Sequence, residues 1–298
     1  MWQNILQEIK DGNIKSLART ISLVENEVDG YFEFLQTLPT SSTPIIGITG
    51  PPGAGKSTLV DAIIEQLVIQ NKKVAVVCVD PSSPFNLGAL LGDRIRMSSW
   101  YNHPNVFIRS LATRGSLGGL HPKIIEITDI LKTAAFDFII VETVGVGQSE
   151  IEIAGLADIT AVVLVPESGD EIQTMKAGLM EIADMFIVNK SDRPDADAFV
   201  SNLKQMLAPS FHTHENEIPV IKTVAINKVG IEAVVNFFLQ LNQKSIKKKS
   251  WSLAEKAFHI IQQFKMKPFD KLKMKNEIEA IQHNNNFNLY HYIKKYLS

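Results

Sequence analysis

The chain has few cysteines, no long apolar run and little net charge. Its 298 residues include one cysteine, Cys78, which excludes an internal disulfide and fits a reducing compartment. No apolar run approaches the ~20 residues of a membrane-spanning helix, and Glu8, Lys10 and Asp11 interrupt any secretion signal near the start. A formal net charge of −2 gives no electrostatic case for nucleic acid. We expect a cytoplasmic globular protein that binds neither nucleic acid nor membrane.

What the sequence does contain is a phosphate-binding motif at residues 50–57, GPPGAGKS, which fits the pattern G-x-x-x-x-G-K-[ST]. Residues 44–49 predict a buried strand before it, and residues 58–67 predict an amphipathic helix after it. In that context the loop amides and the helix N-terminus cradle phosphate, and Lys56 reaches the β- and γ-phosphates. A glycine-rich turn before an ordinary helix is the alternative that this context disfavours. The candidate nucleotide-binding residues here are Gly50, Pro51, Pro52, Gly53, Ala54, Gly55, Lys56, Ser57 and Thr58.

A second motif indicates that the base is guanine. Asn189, Lys190 and Asp192 form an N-K-x-D pattern directly after a predicted strand at residues 184–188. An aspartate carboxylate can accept hydrogen bonds from guanine N1–H and its exocyclic amine, whereas adenine offers no such pair of donors. Asn189 would brace the loop, the Lys190 stem would lie along the base, and the N–H of Ala225 could contact guanine O6. The pattern favours GTP over ATP.

A third motif, at the end of the predicted strand 137–141, predicts the metal and γ-phosphate contacts. Glu142 at the strand tip can bind Mg²⁺ directly or through water, and the N–H of Gly145 can touch the γ-phosphate. We therefore take Lys56, Glu142 and Gly145 as the catalytic candidates. Ras-like enzymes place a water-positioning Gln directly after this glycine, but the residue here is Val146 and the nearest Gln is Gln148. Intrinsic hydrolysis should be slow and raised by a partner or by dimerisation.

Two further carboxylates are candidates for a metal-sensing switch. Asp80 ends the apolar run 74–79, and Asp93 lies in the glycine-rich segment 86–94. An Asp-Pro turn and a solvated loop charge are the respective alternatives. The candidate Mg²⁺ ligands are Ser57, Asp80, Asp93 and Glu142.

The whole pattern predicts an α/β fold, a P-loop GTPase with a mostly parallel sheet flanked by helices. Its ligand should lie at the carboxyl ends of the strands. Residues 1–40 are predicted as an N-terminal segment of two helices, 41–245 as the GTPase domain and 246–298 as a C-terminal helical arm. An apolar stripe in the arm favours dimerisation, with core packing as the alternative: Trp251, Leu253, Phe258, Ile260, Ile261 and Phe264. The predicted strands lie near 45–49, 74–79, 106–109, 137–141, 160–165, 184–188 and 219–224.

Five linked segments resemble the MeaB/ArgK family, the P-loop GTPases associated with methylmalonyl-CoA mutase. The resemblance covers residues 40 to 235. The segments that carry it are VDPSSPF (79–85), LGDRIRM (91–97), IRSLATRG (108–115), VETVGVGQSE (141–150) and GDEIQTMKAG (169–178).

The resemblance implies a chaperone of adenosylcobalamin-dependent acyl-CoA mutases. Such proteins bind and hydrolyse GTP to gate cofactor loading, protect the mutase and form homodimers. The family's Mg²⁺ and switch carboxylates fall on Asp80, Asp93 and Glu142. A further switch, which rearranges at the mutase interface, falls on residues 169–178, with Asp170 and Lys176 among its charged positions. Methylmalonyl-CoA, isobutyryl-CoA and ethylmalonyl-CoA mutases all stay open as partners.

The chain departs from the family pattern at residues 86–88, at Ser116 and at Val224, which puts switch timing and partner choice in question. Three other functions stay open. A nickel-type metallochaperone GTPase would carry a His-rich or Cys-pair tract, and His212 and His214 match no recognised ligand spacing. A kinase acting on a transport protein would need H-R-D and D-F-G elements. A nucleotide-sensing scaffold without turnover is the third.

Overall fold

A seven-stranded sheet with parallel pairing throughout organises the chain. The computed structural model describes residues 2, 4–80, 97–113, 119–145, 149–168, 178–207, 218–240, 246–282 and 287–296. The strand order is β3-β2-β4-β1-β5-β6-β7, which confirms the predicted α/β fold. The strands are β1 (Ile45–Thr49), β2 (Val74–Asp80), β3 (Val106–Ala112), β4 (Phe138–Glu142), β5 (Ile159–Leu164), β6 (Met185–Val188) and β7 (Val220–Lys222).

The inner strands form because their sequences are nearly unbroken apolar runs. Every residue of β1, β2, β4, β5 and β6 is buried, as expected for a parallel sheet covered on both faces. The edge strand β7 is half-buried to exposed. β3 extends three residues beyond its predicted end at 109.

Twelve α-helices lie within the described residues, and none of them has both the length and the apolar character needed to cross a bilayer. They are α1 (Ile5–Lys10), α2 (Ile14–Glu25), α3 (Tyr31–Leu35), α4 (Lys56–Ile69), α5 (Ile124–Leu131), α6 (Ser149–Leu156), α7 (Gly178–Ile182), α8 (Ala196–Leu207), α9 (Ile231–Leu239), α10 (Ile246–Met266), α11 (Lys271–Ile281) and α12 (Leu289–Ile293).

The prediction that the helix after the phosphate motif is amphipathic was wrong. α4 packs against β1, β2 and β4 and also against α9, so it buries more than one side. Residues 1–40 were predicted to form two helices, but the structure has three there. The chain takes left-handed backbone angles at Glu27 (φ 51°) and Gly30 (φ 84°), which separates α2 from the short α3. Trp2 stacks on Phe34 of α3, with ring centroids 4.8 Å apart.

Charged side chains join α2 and the turn after it to the sheet and α5. Arg109 of β3 donates to Glu25 at 2.9 Å, and the buried Lys123 pairs with Glu27 at 2.9 Å and Glu126 at 3.2 Å. Burial lowers the pKa of Lys123, but the charges of Glu126 and Glu27 outweigh burial and hold the pKa above its usual value. The N-terminal helices accordingly lie in one compact unit with the sheet, residues 1–249.

Residues 250–298 form a second compact unit. Within it, the carboxylate of Glu277 on α11 accepts hydrogen bonds from Lys295 at 2.7 Å, Tyr292 at 2.8 Å and Tyr296 at 3.0 Å. These donors, Lys295 first, lower the pKa of Glu277 to about 2. One carboxylate thus ties the end of the chain to α11, and Asp270 caps the start of that helix.

Replacing Lys123 by methionine should lower the free energy of unfolding by about 3 kcal/mol, because the buried carboxylate of Glu126 then loses its counter-charge. The control is Lys132→Met, since Lys132 pairs with the half-exposed Asp129 at 3.6 Å and such surface pairs contribute at most ~1 kcal/mol. Urea unfolding followed by circular dichroism measures both variants. Equal losses would contradict the assignment of Lys123 as a buried structural charge.

Candidate functional site

The phosphate motif lies between the end of β1 and the start of α4. Lys56, the first residue of α4, points its ammonium group back into the loop, where it donates to the carbonyls of Gly50 at 2.9 Å and Pro51 at 3.0 Å. Pro51 and Ala54 are buried, Pro52 and Gly53 are exposed, and Thr58 is half-buried in the first turn of α4. The ammonium therefore lies where a phosphate chain held by this loop would need a positive charge.

Oxygen ligands suited to a magnesium ion meet beside this loop. The hydroxyl of Ser57 donates to Glu142 Oε1 at 2.7 Å, and both residues are buried. Cys78 lies 4.0 Å from the other carboxylate oxygen, and Asp80 is buried at the tip of β2, the neighbour of β4. A hydroxyl and two carboxylates fit Mg²⁺, which binds few protein oxygens and keeps substrate phosphates and water as its other ligands.

No group of three or more His, Cys, Asp or Glu side chains placed to hold a metal occurs within the described ranges. That finding does not conflict with a magnesium site of this kind, because the hydroxyl of Ser57 and the phosphates would supply much of the coordination.

Gly145 brings the segment after β4 directly over the phosphate loop. Its backbone is left-handed (φ 80°), and a Cβ there would lie 2.2 Å from the carbonyl oxygen of Gly50 and 2.4 Å from Lys56 Nζ. Only glycine permits so close an approach. The segment that carries Glu142 therefore crosses the phosphate loop next to the Lys56 ammonium.

Asn189, which follows β6, joins the phosphate loop to the loop after β7, which contains Thr223 and Ala225. Its side-chain Nδ2 donates to the carbonyl of Ala54 at 2.9 Å, and its Oδ1 accepts from the N–H of Ala225 at 3.1 Å and from Thr223 Oγ1 at 3.2 Å. A Cβ on Gly55 would lie 2.6 Å from this amide nitrogen, so glycine is required there too. All three bonds are buried, so one amide fixes the spacing between the two loops.

The N–H of Ala225 donates to Asn189 Oδ1 here, and its predicted contact with guanine O6 stays a prediction. Sequence reasoning missed Thr223, a fully buried hydroxyl whose only sequence signal is its place after β7. The buried side-chain oxygen of Asn189 requires hydrogen-bond donors. Thr223 and Ala225, which follow β7, supply two of them.

The residues that follow Asn189 in the N-K-x-D motif are more exposed than Asn189 itself. Lys190 adopts a left-handed backbone (φ 55°) and donates to the carbonyl of Gly53 at 2.7 Å, while Asp192 is exposed. Arg193 forms an ion pair with Glu167, which follows β5, and this hydrogen bond lowers the pKa of Glu167. Asp192 is thus exposed to solvent, two residues after the Lys190 that contacts the phosphate loop.

Several predicted residues lie outside the described ranges. These are Asp93, Asp170 and Lys176, together with Val146, Gln148, His212 and His214. Their predicted roles stay predictions. The structure does bring together Lys56, Ser57, Glu142, Gly145 and Asn189.

Comparison with known proteins gives a consistent family match. The family model described as Methylmalonyl Co-A mutase-associated GTPase MeaB matches residues 17–274. A Pyrococcus abyssi protein is 45% identical over 237 residues, which are 78% of this chain and 73% of the relative. The GTPase ArgK of Escherichia coli K12 is 35% identical over 240 residues, 77% of this chain and 72% of the relative.

Two further similarities bear on partner and fold. The fused isobutyryl-CoA mutase of Geobacillus kaustophilus is 36% identical over 236 residues, which are 74% of this chain but 22% of that protein. A solved structure titled LAO/AO transport system kinase superposes with a TM-score of 0.65 at 24% identity, covering 95% of this chain and 85% of that one. The last similarity supports the fold alone.

Replacing Asn189 by alanine should weaken binding of both GTP and GDP at least about tenfold, because three buried hydrogen bonds between the two loops are lost. The control is Asn227→Ala, which changes an exposed residue of the same loop as Ala225. Fluorescent nucleotide titration measures both variants. Wild-type affinity in the Asn189 variant would contradict its bracing role.

Proposed function

Because this chain belongs to the MeaB family of GTPases associated with methylmalonyl-CoA mutase, we propose that it is a Mg²⁺-dependent GTP hydrolase and a chaperone of an adenosylcobalamin-dependent acyl-CoA mutase. The observation that carries the first part is the hydrogen bond between Ser57 and Glu142 beside the Lys56 ammonium. The bond brings together a hydroxyl and a carboxylate that could bind a metal, next to a phosphate loop that Asn189 braces through the carbonyl of Ala54.

The proposed reaction is attack of water on the γ-phosphate of GTP. Lys56 and the backbone N–H groups of the loop stabilise the charge that develops on the phosphate oxygens. Ser57, Asp80 and Glu142 would hold Mg²⁺, which when bound neutralises charge on the β- and γ-phosphates. Asp192 accepts hydrogen bonds from the guanine edge, and Lys190 packs its stem along the base.

Slow intrinsic turnover follows from the residue after Gly145. Val146 has no group that can orient a water molecule, whereas Ras-like enzymes use Gln in that position. We infer that a partner completes the water-positioning part of the site. We propose that this stimulated hydrolysis gates the loading of cofactor into the partner. The proposed switch residues are Asp93, Asp170 and Lys176, and family membership supports this role.

The fused Geobacillus relative supports a mutase as that partner. Its name is fused isobutyryl-CoA mutase, and the region similar to this chain makes up 22% of it. A GTPase segment and a mutase joined in one chain indicate that the two act together. The family description names methylmalonyl-CoA mutase, so we place this mutase first and isobutyryl-CoA and ethylmalonyl-CoA mutases after it. The single cysteine of this chain fits a cytoplasmic location for it.

We propose that the C-terminal arm, residues 246–298, makes the protein a homodimer. Large apolar side chains of the second compact unit are exposed, including Phe258 (68%) and Ile261 (57%) on α10 and Tyr290 (79%) on α12. Apolar surface concentrated in one small unit is typical of an association surface. The predicted stripe residues Leu253 and Phe264 are exposed on the same helix.

Replacing Asp192 by asparagine should switch base preference. Xanthine carries a carbonyl where guanine carries its exocyclic amine, so an asparagine amide can donate where the aspartate accepted. GTP affinity should fall about 100-fold or more and XTP affinity should rise, since a mismatched buried polar pair is strongly disfavoured. The control is Asp195→Asn, an exposed position with φ 65° that asparagine tolerates. Unchanged GTP affinity in Asp192→Asn would contradict guanine recognition by this residue.

GTP turnover should be slow for the protein alone and should rise at least about tenfold with the methylmalonyl-CoA mutase of the same organism, as expected when a partner completes a catalytic site. Phosphate release measures both rates, with ATP as the control nucleotide and Lys56→Ala as the variant that abolishes stimulated turnover. Stimulation by none of the three mutases would remove the chaperone assignment while leaving the GTPase.

The double variant Phe258→Glu, Ile261→Glu should convert a wild-type dimer to monomer, because charges would be buried at the association surface. Gln262→Glu introduces the same charge at an exposed polar position of α10 and should leave the dimer intact. Sedimentation of the full chain distinguishes these states. A monomeric wild type, or a dimer in all variants, would contradict dimerisation through the arm.

A further inference from the structure

Two buried hydroxyl groups face each other where the phosphate loop and the metal-binding strand leave the sheet. Thr49 is the last residue of β1, and Thr143 follows β4 directly. Their Oγ1 atoms lie 2.9 Å apart, which is a hydrogen bond, and their exposed fractions are 0% and 2%. Neither hydroxyl is among the predicted nucleotide-binding, metal-binding or catalytic groups, although Thr143 lies within the segment 141–150.

The two threonines connect the phosphate loop to the segment that carries Glu142 and Gly145. Thr49 precedes Gly50, whose carbonyl accepts from Lys56. Thr143 lies directly after Glu142, which is bonded to Ser57, and two residues before Gly145, which passes over the phosphate loop. The hydroxyl pair therefore adds a side-chain bond between the residue before the phosphate loop and the segment 142–145.

The sheet itself does not need this bond. Main-chain pairing between β1 and β4 already runs to Ile48 and Glu142, and the N–H of Thr143 donates to the carbonyl of Ile48 at 3.0 Å. Ile48 precedes Thr49 and Val141 lies two residues before Thr143, and both aliphatic side chains are fully buried at 0% exposure. Valine would fill the same space without burying a polar group. The hydroxyl pair thus points to a requirement of the site.

We propose that Thr143 is a positioning residue for GTP hydrolysis, whose hydroxyl bond to Thr49 holds residues 142–145 against the phosphate loop. The bond keeps the Glu142 carboxylate facing Ser57 and keeps Gly145 beside the Lys56 ammonium. Without this hydrogen bond, the main chain after β4 is less restrained at the point where its pairing with β1 ends. This inference rests on the proposed GTP hydrolysis. Thr143 would act on the reaction only through the positions of Glu142 and Gly145.

The test compares Thr143→Val with Thr143→Ser in the full chain. The valine variant should lower kcat for GTP about tenfold and raise the Mg²⁺ concentration for half-maximal turnover by a similar factor, since one buried hydrogen bond to the positioning segment is lost. The serine variant keeps the hydroxyl and should restore both values to within about threefold. GDP affinity measured without Mg²⁺ should change less than about twofold, because the phosphate loop amides and Lys56 are untouched.

A double variant separates positioning from folding. Thr49→Val combined with Thr143→Val removes both hydroxyls, so no buried donor is left unsatisfied and thermal stability should return toward that of the wild type. Turnover should stay low in the double variant. Recovery of turnover along with stability would overturn the positioning role, as would unchanged turnover in Thr143→Val or an equal loss of Mg²⁺-free GDP binding.

The test also distinguishes this inference from the proposed function. If the wild type releases no phosphate from GTP, the proposed hydrolysis fails. The positioning role is then decided by Mg²⁺-dependent binding of a non-hydrolysable GTP analogue. Thr143→Val must weaken that binding about tenfold relative to Thr143→Ser, and equal affinities would overturn it.

Discussion

Parallel pairing is the constraint on which the rest of this structure depends. Because all the paired strands run the same way, their carboxyl ends lie at one edge of the sheet. The phosphate loop follows β1, Asp80 and Glu142 end β2 and β4, and Asn189 follows β6. Residues far apart in the sequence therefore lie close together at one site. The inner strands can pack this way because they are mostly apolar and every one of their residues is buried.

At that edge, short buried hydrogen bonds set the dimensions of the site. Asn189 holds the phosphate loop at a fixed distance from the loop that carries Ala225, and Ser57 holds Glu142 at the phosphate end. Buried polar groups of this kind cost free energy unless they are paired, so each pairing favours one arrangement over its alternatives. Among the described residues, the protein's own hydrogen bonds thus hold these groups in one arrangement, which favours electrostatic stabilisation of a phosphoryl-transfer reaction.

The sequence predicted those parts of the protein that local pattern determines. Apolar runs marked the strands to within a few residues, and fixed spacing identified Lys56, Ser57 and Asn189. It did not predict contacts that depend on packing between distant segments. Thr49 and Thr143 meet across 94 positions, α4 is covered on a second side by α9, and the short α3 depends on left-handed turns at Glu27 and Gly30. No local pattern in those segments encodes such partners.

The central claim is that Ser57 and Glu142 hold the divalent cation that GTP hydrolysis requires. A crystal of the full chain grown with a non-hydrolysable GTP analogue and Mn²⁺ in place of Mg²⁺ tests it most directly, because anomalous scattering locates manganese without reference to the protein atoms. We predict one peak between the Ser57 hydroxyl and the nucleotide phosphates, with Glu142 coordinating the ion directly or through one water. A manganese peak away from both residues, with the analogue bound in the phosphate loop, would contradict it.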